Sequence, residues 1–181
     1  MLVENKTKRM LKNIKLAVFD FDDTLAIHKD PNYVEHRKTN EDNYFIQAYQ
    51  NPNEFYTTIE PCDPSEDMRN LVLYCRFREV PMLVLSGMRF SLHANAKQSF
   101  INRYYGEDIQ LLTAASQERK EDVVRLLMKA HKLKPEEIPF VDDIRANVQR
   151  MAELGVTAFH VSEISTSEIN PGETLKNFAD D

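Results

Sequence analysis

The sequence predicts an α/β fold, a three-layer sandwich around a central parallel sheet, on three observations. Short apolar runs alternate with helical patterns along most of the chain, as expected of strand–helix–strand units with parallel strands. Several of the runs stop abruptly at a carboxylate or hydroxyl residue, which gathers polar groups at one edge of the sheet. Finally, 181 residues with 42% hydrophobic content suffice for one domain with a substantial core. No run approaches the roughly 20 apolar residues of a membrane span.

The elements follow in order. Ile14 to Phe19 is apolar and partly β-branched, a buried strand that ends at Asp20. The stretch at about 27–62 is polar, broken by Pro31, Pro52 and Pro61, and carries the aromatics Tyr33, Tyr44, Phe45, Tyr49, Phe55 and Tyr56. It reads as an insertion with one short helix near 41–50. Asp63, Pro64 and Glu66 form a helix start, with Met68, Leu71, Val72 and Cys75 as the inward stripe. Met82 to Leu85 is a second strand, closed by Ser86-Gly87. A helix over 91–104, a short strand over 109–112 and a helix over 118–132 follow. Ile138 to Val141 is a strand stopped by Asp142 and Asp143. A helix over 144–154 ends at Gly155, a common stop residue, before a last strand over 156–161.

Composition narrows the function. The four glycines are too scattered for a glycine-rich phosphate loop or a dinucleotide fingerprint. A net charge of −6 and an isoelectric point near 5.4 weigh against binding long nucleic acid, whose partners carry basic stripes. Cys62 and Cys75 are too few for a disulfide framework and lack metal-ligand spacing, so they read as reduced thiols, with the cytoplasm as the expected location and no membrane partner. The opening segment to Lys15 is basic and reads as a solvated lead-in; the tail after Ser162 is acidic and poorly patterned.

Asp20, Asp22, Ser86, Asp142 and Asp143 all lie at the carboxyl ends of predicted parallel strands, where open α/β sheets form their ligand crevice. Carboxylates gathered there repel one another, and a hard divalent cation with oxygen ligands resolves the repulsion. Mg²⁺ suits the set, because no His or Cys stands among these residues to favour zinc. Each piece alone has a plainer explanation: Asp-Xaa-Asp as a turn, Asp142-Asp143 as a helix cap. Their joint occurrence in order at matching element ends favours a site.

These motifs resemble the haloacid dehalogenase (HAD) superfamily of phosphohydrolases. Val18-Phe19-Asp20-Phe21-Asp22-Asp23-Thr24-Leu25 matches the family's first motif, Val84-Leu85-Ser86-Gly87 the second, Lys120 in Arg119-Lys120-Glu121-Asp122-Val123-Val124 the third, and Phe140-Val141-Asp142-Asp143 the fourth. The resemblance covers roughly 14–25 and 64–161. It implies a Rossmann-like core and a Mg²⁺-dependent phosphomonoester hydrolase. Asp20 would be the nucleophile, forming an aspartyl-phosphate. Asp22 would be acid and then base, free of metal on its side chain and so able to keep a proton. Ser86, Gly87 and Lys120 would hold the phosphoryl group, and Asp20, the Asp22 carbonyl, Asp142 and Asp143 would surround the metal. Asp143 falls on the family's direct ligand position and Asp142 on its usual glycine. Asp23 also stands where many relatives have a small residue, and reads as loop-capping.

Lys97 falls too early, and Lys129 and Lys132 too late, for the third motif. His28, His36 and His93 are candidates to line the site, although scattered histidines are more typical of surface residues. An insertion of this length is too short to fold alone and suits a flap. Its aromatics either stack on a base or pin the flap by packing. The Arg119–Val124 and Asp142-Asp143-Ile144-Arg145 stretches also resemble the phosphatase half of bacteriophage polynucleotide kinase/phosphatases and the deoxynucleotidases. The expected substrate is a nucleotide or other small phosphate ester. Three alternatives stand beside it: a polynucleotide 3′-phosphatase, phosphoryl transfer of the mutase kind, which the small insertion disfavours, and a noncatalytic phosphate-binding or scaffold protein on the same fold.

Overall fold

A strand buried on both faces must be apolar, and the central run Ala17–Phe19 is apolar and buried at each position. In the computed structural model, which describes residues 13–33, 50–63, 67–88 and 91–164, five strands form one parallel sheet. They are β1 (Ala17–Phe19), β4 (Met82–Gly87), β5 (Gln110–Ala114), β6 (Phe140–Asp142) and β7 (Ala158–His160), ordered β5-β4-β1-β6-β7. Two further strands, β2 (Ala26–Ile27) and β3 (Glu60–Pro61), pair antiparallel as a separate two-stranded piece bracketing the insertion.

Successive side chains on a strand point to opposite faces, and the core divides accordingly. Ala17, Phe19, Val84 and Val141 face the helices α2 (Asp67–Phe77) and α3 (Ala94–Tyr104), packing on Met68, Leu71, Val72, Cys75, Phe100 and Ile101. Val18, Leu85 and Phe140 face α4 (Lys120–His131) and α5 (Arg145–Glu153), packing on Val124, Leu127 and Met151. The result is the expected three-layer α/β sandwich. The stripe of α2 is buried as its spacing predicts; its proposed cap residues Pro64 and Glu66 lie outside the described residues, as does the helix expected near 41–50.

The ends of elements differ from expectation in instructive ways. The first ladder begins at Ala17, not Ile14, because the Lys15 and Leu16 amides donate to the Glu137 carbonyl instead of to a neighbouring strand. A short helix, α1 (Pro52–Thr57), appears inside the insertion, started by Asn51, whose side chain accepts from the Glu54 amide. The stop at Gly155 is a Schellman closure: Gly155 adopts φ +81°, its amide donates to the Ala152 carbonyl, and that of Val156 to Met151.

Topology decides where chemistry can occur. From β1 the chain moves to β4 and β5 on one side, then crosses to β6 and β7 on the other, so the strand order reverses around β1. The crevice of such a sheet lies beyond the carboxyl ends of the strands at that reversal. In register, Phe19 sits between Val84 and Val141, which brings Asp20 level with the ends of both neighbours.

Two outcomes test this packing. Leu71→Ala is expected to cost about 2–5 kcal/mol in urea denaturation, the range for an emptied leucine site. Burial pushes the Cys75 thiol up to about 12, so iodoacetamide at pH 8 should leave Cys75 unmodified in the native protein and alkylate it in denaturant.

Candidate active site

Asp20 is the residue after β1, and its amide donates to the Val141 carbonyl at 2.8 Å, which fixes the carboxyl beside the end of β6. Lys120, the first residue of α4, is almost completely buried (1% exposed). Its ammonium reaches Asp20 Oδ1 at 2.5 Å and Asp142 Oδ2 at 2.8 Å. The remaining capacity of Asp142 is also taken: Oδ1 accepts from the Ile144 amide at 2.8 Å, and Asn147 Nδ2 bonds both oxygens at 3.0 Å. Asp143 follows, with its backbone carbonyl 2.9 Å from His160 Nε2 on β7.

Asp20, Asp142 and Asp143 each offer an oxygen within 4.8 Å of the others. An all-oxygen donor set at this spacing fits a hard divalent cation such as Mg²⁺. The charge balance agrees: Asp20, Asp22, Asp142 and Asp143 gather around two ammonium groups, those of Lys97 and Lys120, with the His28 ring beside Asp22. Burial pushes the Asp20 carboxyl well above the usual range; Lys120 opposes this, while Asp142, Asp143 and Asp22 add to it. Burial alone would discharge Lys120, but Asp20 and Asp142 outweigh it and hold its pKa above the ordinary value.

The second carboxylate has different surroundings. Asp22 Oδ2 accepts from Lys97 Nζ at 2.6 Å, and Oδ1 lies 2.8 Å from His28 Nε2. Lys97 also donates to Ser86 Oγ at 2.8 Å. Burial works to raise the Asp22 carboxyl, yet Lys97 and His28 outweigh it and hold the group well below the usual carboxylate range. Against the expectation of a carboxyl that readily keeps a proton, two basic side chains here favour the ionised form of Asp22. Its carboxylate is turned to those partners and stands outside the three-residue acid cluster, which leaves the backbone carbonyl as the group expected at a metal.

Ser86 and Gly87 close β4. A Cβ on Gly87 would come within 2.9 Å of the Gln117 backbone nitrogen, so glycine admits the turn that leads into Lys120. Asp23 has φ +53°, in the left-handed region that glycine prefers and aspartate tolerates. Its carboxylate accepts from the Tyr33 hydroxyl at 2.8 Å, so the extra acid tethers the insertion to this loop.

All the expected site residues therefore converge, and three features went unread in the sequence. Lys97, set aside for its spacing, is buried at the site; the available signal was a lysine in the inward stripe of α3, alongside the buried Ala96, Phe100 and Ile101. His28 and His93 are buried, not surface residues: His28 stacks on Tyr33 with centroids 4.2 Å apart, and His93 Nδ1 lies 3.1 Å from the Tyr56 hydroxyl. Burial, with Lys97 nearby and despite Asp22, lowers the His93 pKa below the ordinary value. Phe55 and Tyr56 are core residues, in edge contact with each other at 5.1 Å, so for them packing prevails over base stacking. His36, Tyr44, Phe45 and Tyr49 lie outside the described residues.

An open parallel sheet with acids and a buried lysine at its reversal point defines a Rossmann-like architecture with a candidate site at its strand ends. More particularly, the chain has the HAD-like fold. A predicted HAD-like family hydrolase from Porphyromonas gingivalis matches over 82% of this chain and 91% of its own, with TM-score 0.53 and 16% identity. A haloacid dehalogenase-like family hydrolase from Streptococcus pneumoniae matches over 92% and 99%, with TM-score 0.52 and 13% identity. The N-terminal part of a Bacteroides fragilis protein, containing a phosphatase domain and complexed with Mg, matches over 82% of this chain and 36% of its own, with TM-score 0.52 and 13% identity. This chain thus spans about a third of that solved chain's length. No family model and no curated protein matches the sequence. Among the described residues, no helix is long and apolar enough to cross a membrane.

Gly87→Ala is expected to displace the turn before Lys120 and to cost about 1–3 kcal/mol, the range for overpacking, measured by urea denaturation. Wild-type stability in that variant would refute the close approach.

Proposed function

We propose that the protein is a Mg²⁺-dependent phosphomonoester hydrolase that works through an aspartyl-phosphate on Asp20, with a nucleotide or other small phosphate ester as substrate. The observation that carries this reading is the division of two neighbouring carboxylates between different partners: Asp20 on Lys120 beside the acid cluster, and Asp22 on Lys97 and His28. Two carboxyls with separated environments can take separate roles. A purely binding site has no need of the second.

In the first step an Asp20 oxygen attacks phosphorus, the bond from phosphorus to the ester oxygen breaks, and that oxygen takes a proton from Asp22 and leaves as the alcohol. In the second, water attacks phosphorus, the bond to Asp20 breaks, and the water's proton passes to Asp22. Lys97 and His28 favour the carboxylate form of Asp22, which is the form the second step uses; the first step uses the protonated form that the second leaves behind. Lys120 offsets the charge of Asp20 and Asp142, and Ser86 and Gly87 bound the space for the phosphoryl oxygens. Mg²⁺ held by Asp20, Asp143 and the Asp22 carbonyl, with Asp142 alongside, would draw charge from the phosphoryl group and keep Asp20 ionised. Asp142, saturated by Lys120, Asn147 and the Ile144 amide, fits a supporting place, with Asp143 the more direct ligand.

Purified protein with Mg²⁺ should release phosphate from a panel of esters that includes mononucleotides and 3′-phosphorylated oligonucleotides. Asp20→Asn should lower the rate by roughly 10³-fold or more, and chelation should stop turnover until Mg²⁺ is restored. A panel without turnover, or an Asp20→Asn variant of full activity, would sink the reading. The oligonucleotide arm separates the small-ester reading from a polynucleotide 3′-phosphatase.

A further inference from the structure

We propose that Lys97 contacts the substrate's phosphoryl group, sharing it with Ser86, while keeping its contact to Asp22. The inference rests on the phosphatase reading and extends it to a residue that none of the four sequence motifs contains.

The first support is placement. Lys97 is 3% exposed and stands where α3 presents its apolar stripe, among the buried Ala96, Phe100 and Ile101. Burying an ammonium is expensive unless it is paired and hydrogen-bonded. The helix carries that cost at a position one residue from Ala96 and three from Phe100, so the charge serves the site and not the core.

Orientation supplies the second support. The ammonium lies 4.6 Å from the centroid of the Phe21 ring and 5.7 Å from that of Tyr56. These rings wall the lysine and direct its head to Asp22 Oδ2 at 2.6 Å and Ser86 Oγ at 2.8 Å. Phe21 comes from the loop after β1 and Tyr56 from α1 in the insertion, so two separate segments converge on one lysine.

Charge supplies the third. Both contacts of Lys120 run to carboxylates of the acid cluster, Asp20 and Asp142. A phosphate dianion entering on the Ser86 side meets a different cation, and the one already bonded to Ser86 Oγ is Lys97. Ser86 and Asp22 are the groups assigned to a phosphoryl oxygen and to the leaving oxygen. An ammonium within hydrogen-bond distance of both occupies the junction between those two substrate atoms. An ammonium carries three donors, so it can keep Ser86 and Asp22 while reaching a phosphoryl oxygen.

The test measures binding of inorganic phosphate to the full chain in saturating Mg²⁺ by calorimetry, for wild type, Lys97→Met and Lys97→Arg. Methionine keeps the length and packing of the side chain and removes the charge. Lys97→Met is expected to bind phosphate about tenfold or more weakly, the loss of one charge-assisted hydrogen bond, with Mg²⁺ affinity in the absence of phosphate unchanged. Lys97→Arg should recover part of the phosphate affinity. Wild-type phosphate affinity in Lys97→Met overturns the proposal. Should Lys97→Met fail to fold, the unmodified protein carries the test: with its lysine Nζ atoms labelled with ¹⁵N, the Lys97 ammonium resonance must move on addition of phosphate, and a stationary resonance overturns the contact. If wild type binds no phosphate in Mg²⁺ and turns over no ester, the phosphatase reading falls and takes this proposal with it; phosphate binding that is indifferent to Lys97 removes the proposal alone.

Discussion

The buried ammonium of Lys120 is the interaction on which the rest of the site depends. It joins the end of β1, through Asp20, to the end of β6, through Asp142, from its own position at the start of α4. Three carboxylates beyond neighbouring strands would otherwise drive those ends apart, since like charges at a few ångströms in a poorly hydrated setting repel strongly. With Lys120 in place Asp142 can be buried completely, and Asn147 and the Ile144 amide complete its shell. Breaking a buried pair by removing one partner leaves the other uncompensated, which is far more costly than never building it.

Around this centre the smaller features become intelligible. Gly87 lets the 117–119 turn approach β4 closely enough to deliver Lys120, and the Schellman closure at Gly155 returns the chain from α5 into β7. From β7, His160 meets the Asp143 carbonyl. Backbone geometry on both sides of the sheet thus serves the position of a few charged atoms.

Much of this was legible in the residues because polarity changes abruptly at strand ends. Asp20, Ser86 and Asp142-Asp143 each terminate an apolar run, and a parallel sheet must bring such ends to one edge. The helical stripe of α2 was equally plain. Lys97 was set aside because its spacing fits none of the motifs, and only its place in the inward stripe of α3, beside Ala96 and Phe100, marks it. His28 lies in a polar stretch without periodicity, and its burial depends on Tyr33 stacking over it, a contact that no spacing rule reports. The pull of Asp22 toward its ionised form comes from both of these partners, so it was no more legible than they were.

The two lysines divide the site by the elements that support them as well as by charge. The Lys120 half is assembled from β1, α4 and β6, elements locked into the sheet and its core, where any change in volume or register propagates through packed strands. The Lys97 half leans on Phe21, Tyr56, His28 and, through stacking, Tyr33, and three of these four come from the stretch between β2 and α2 or its approach. A sequence drifting in that stretch alters the leaving-group side of the crevice while the acid cluster stays as it was. One crevice thus has a wall anchored in the sheet and a wall anchored in the segment between β2 and α2, and substitutions in that segment act on the Asp22 side before they reach the acid cluster.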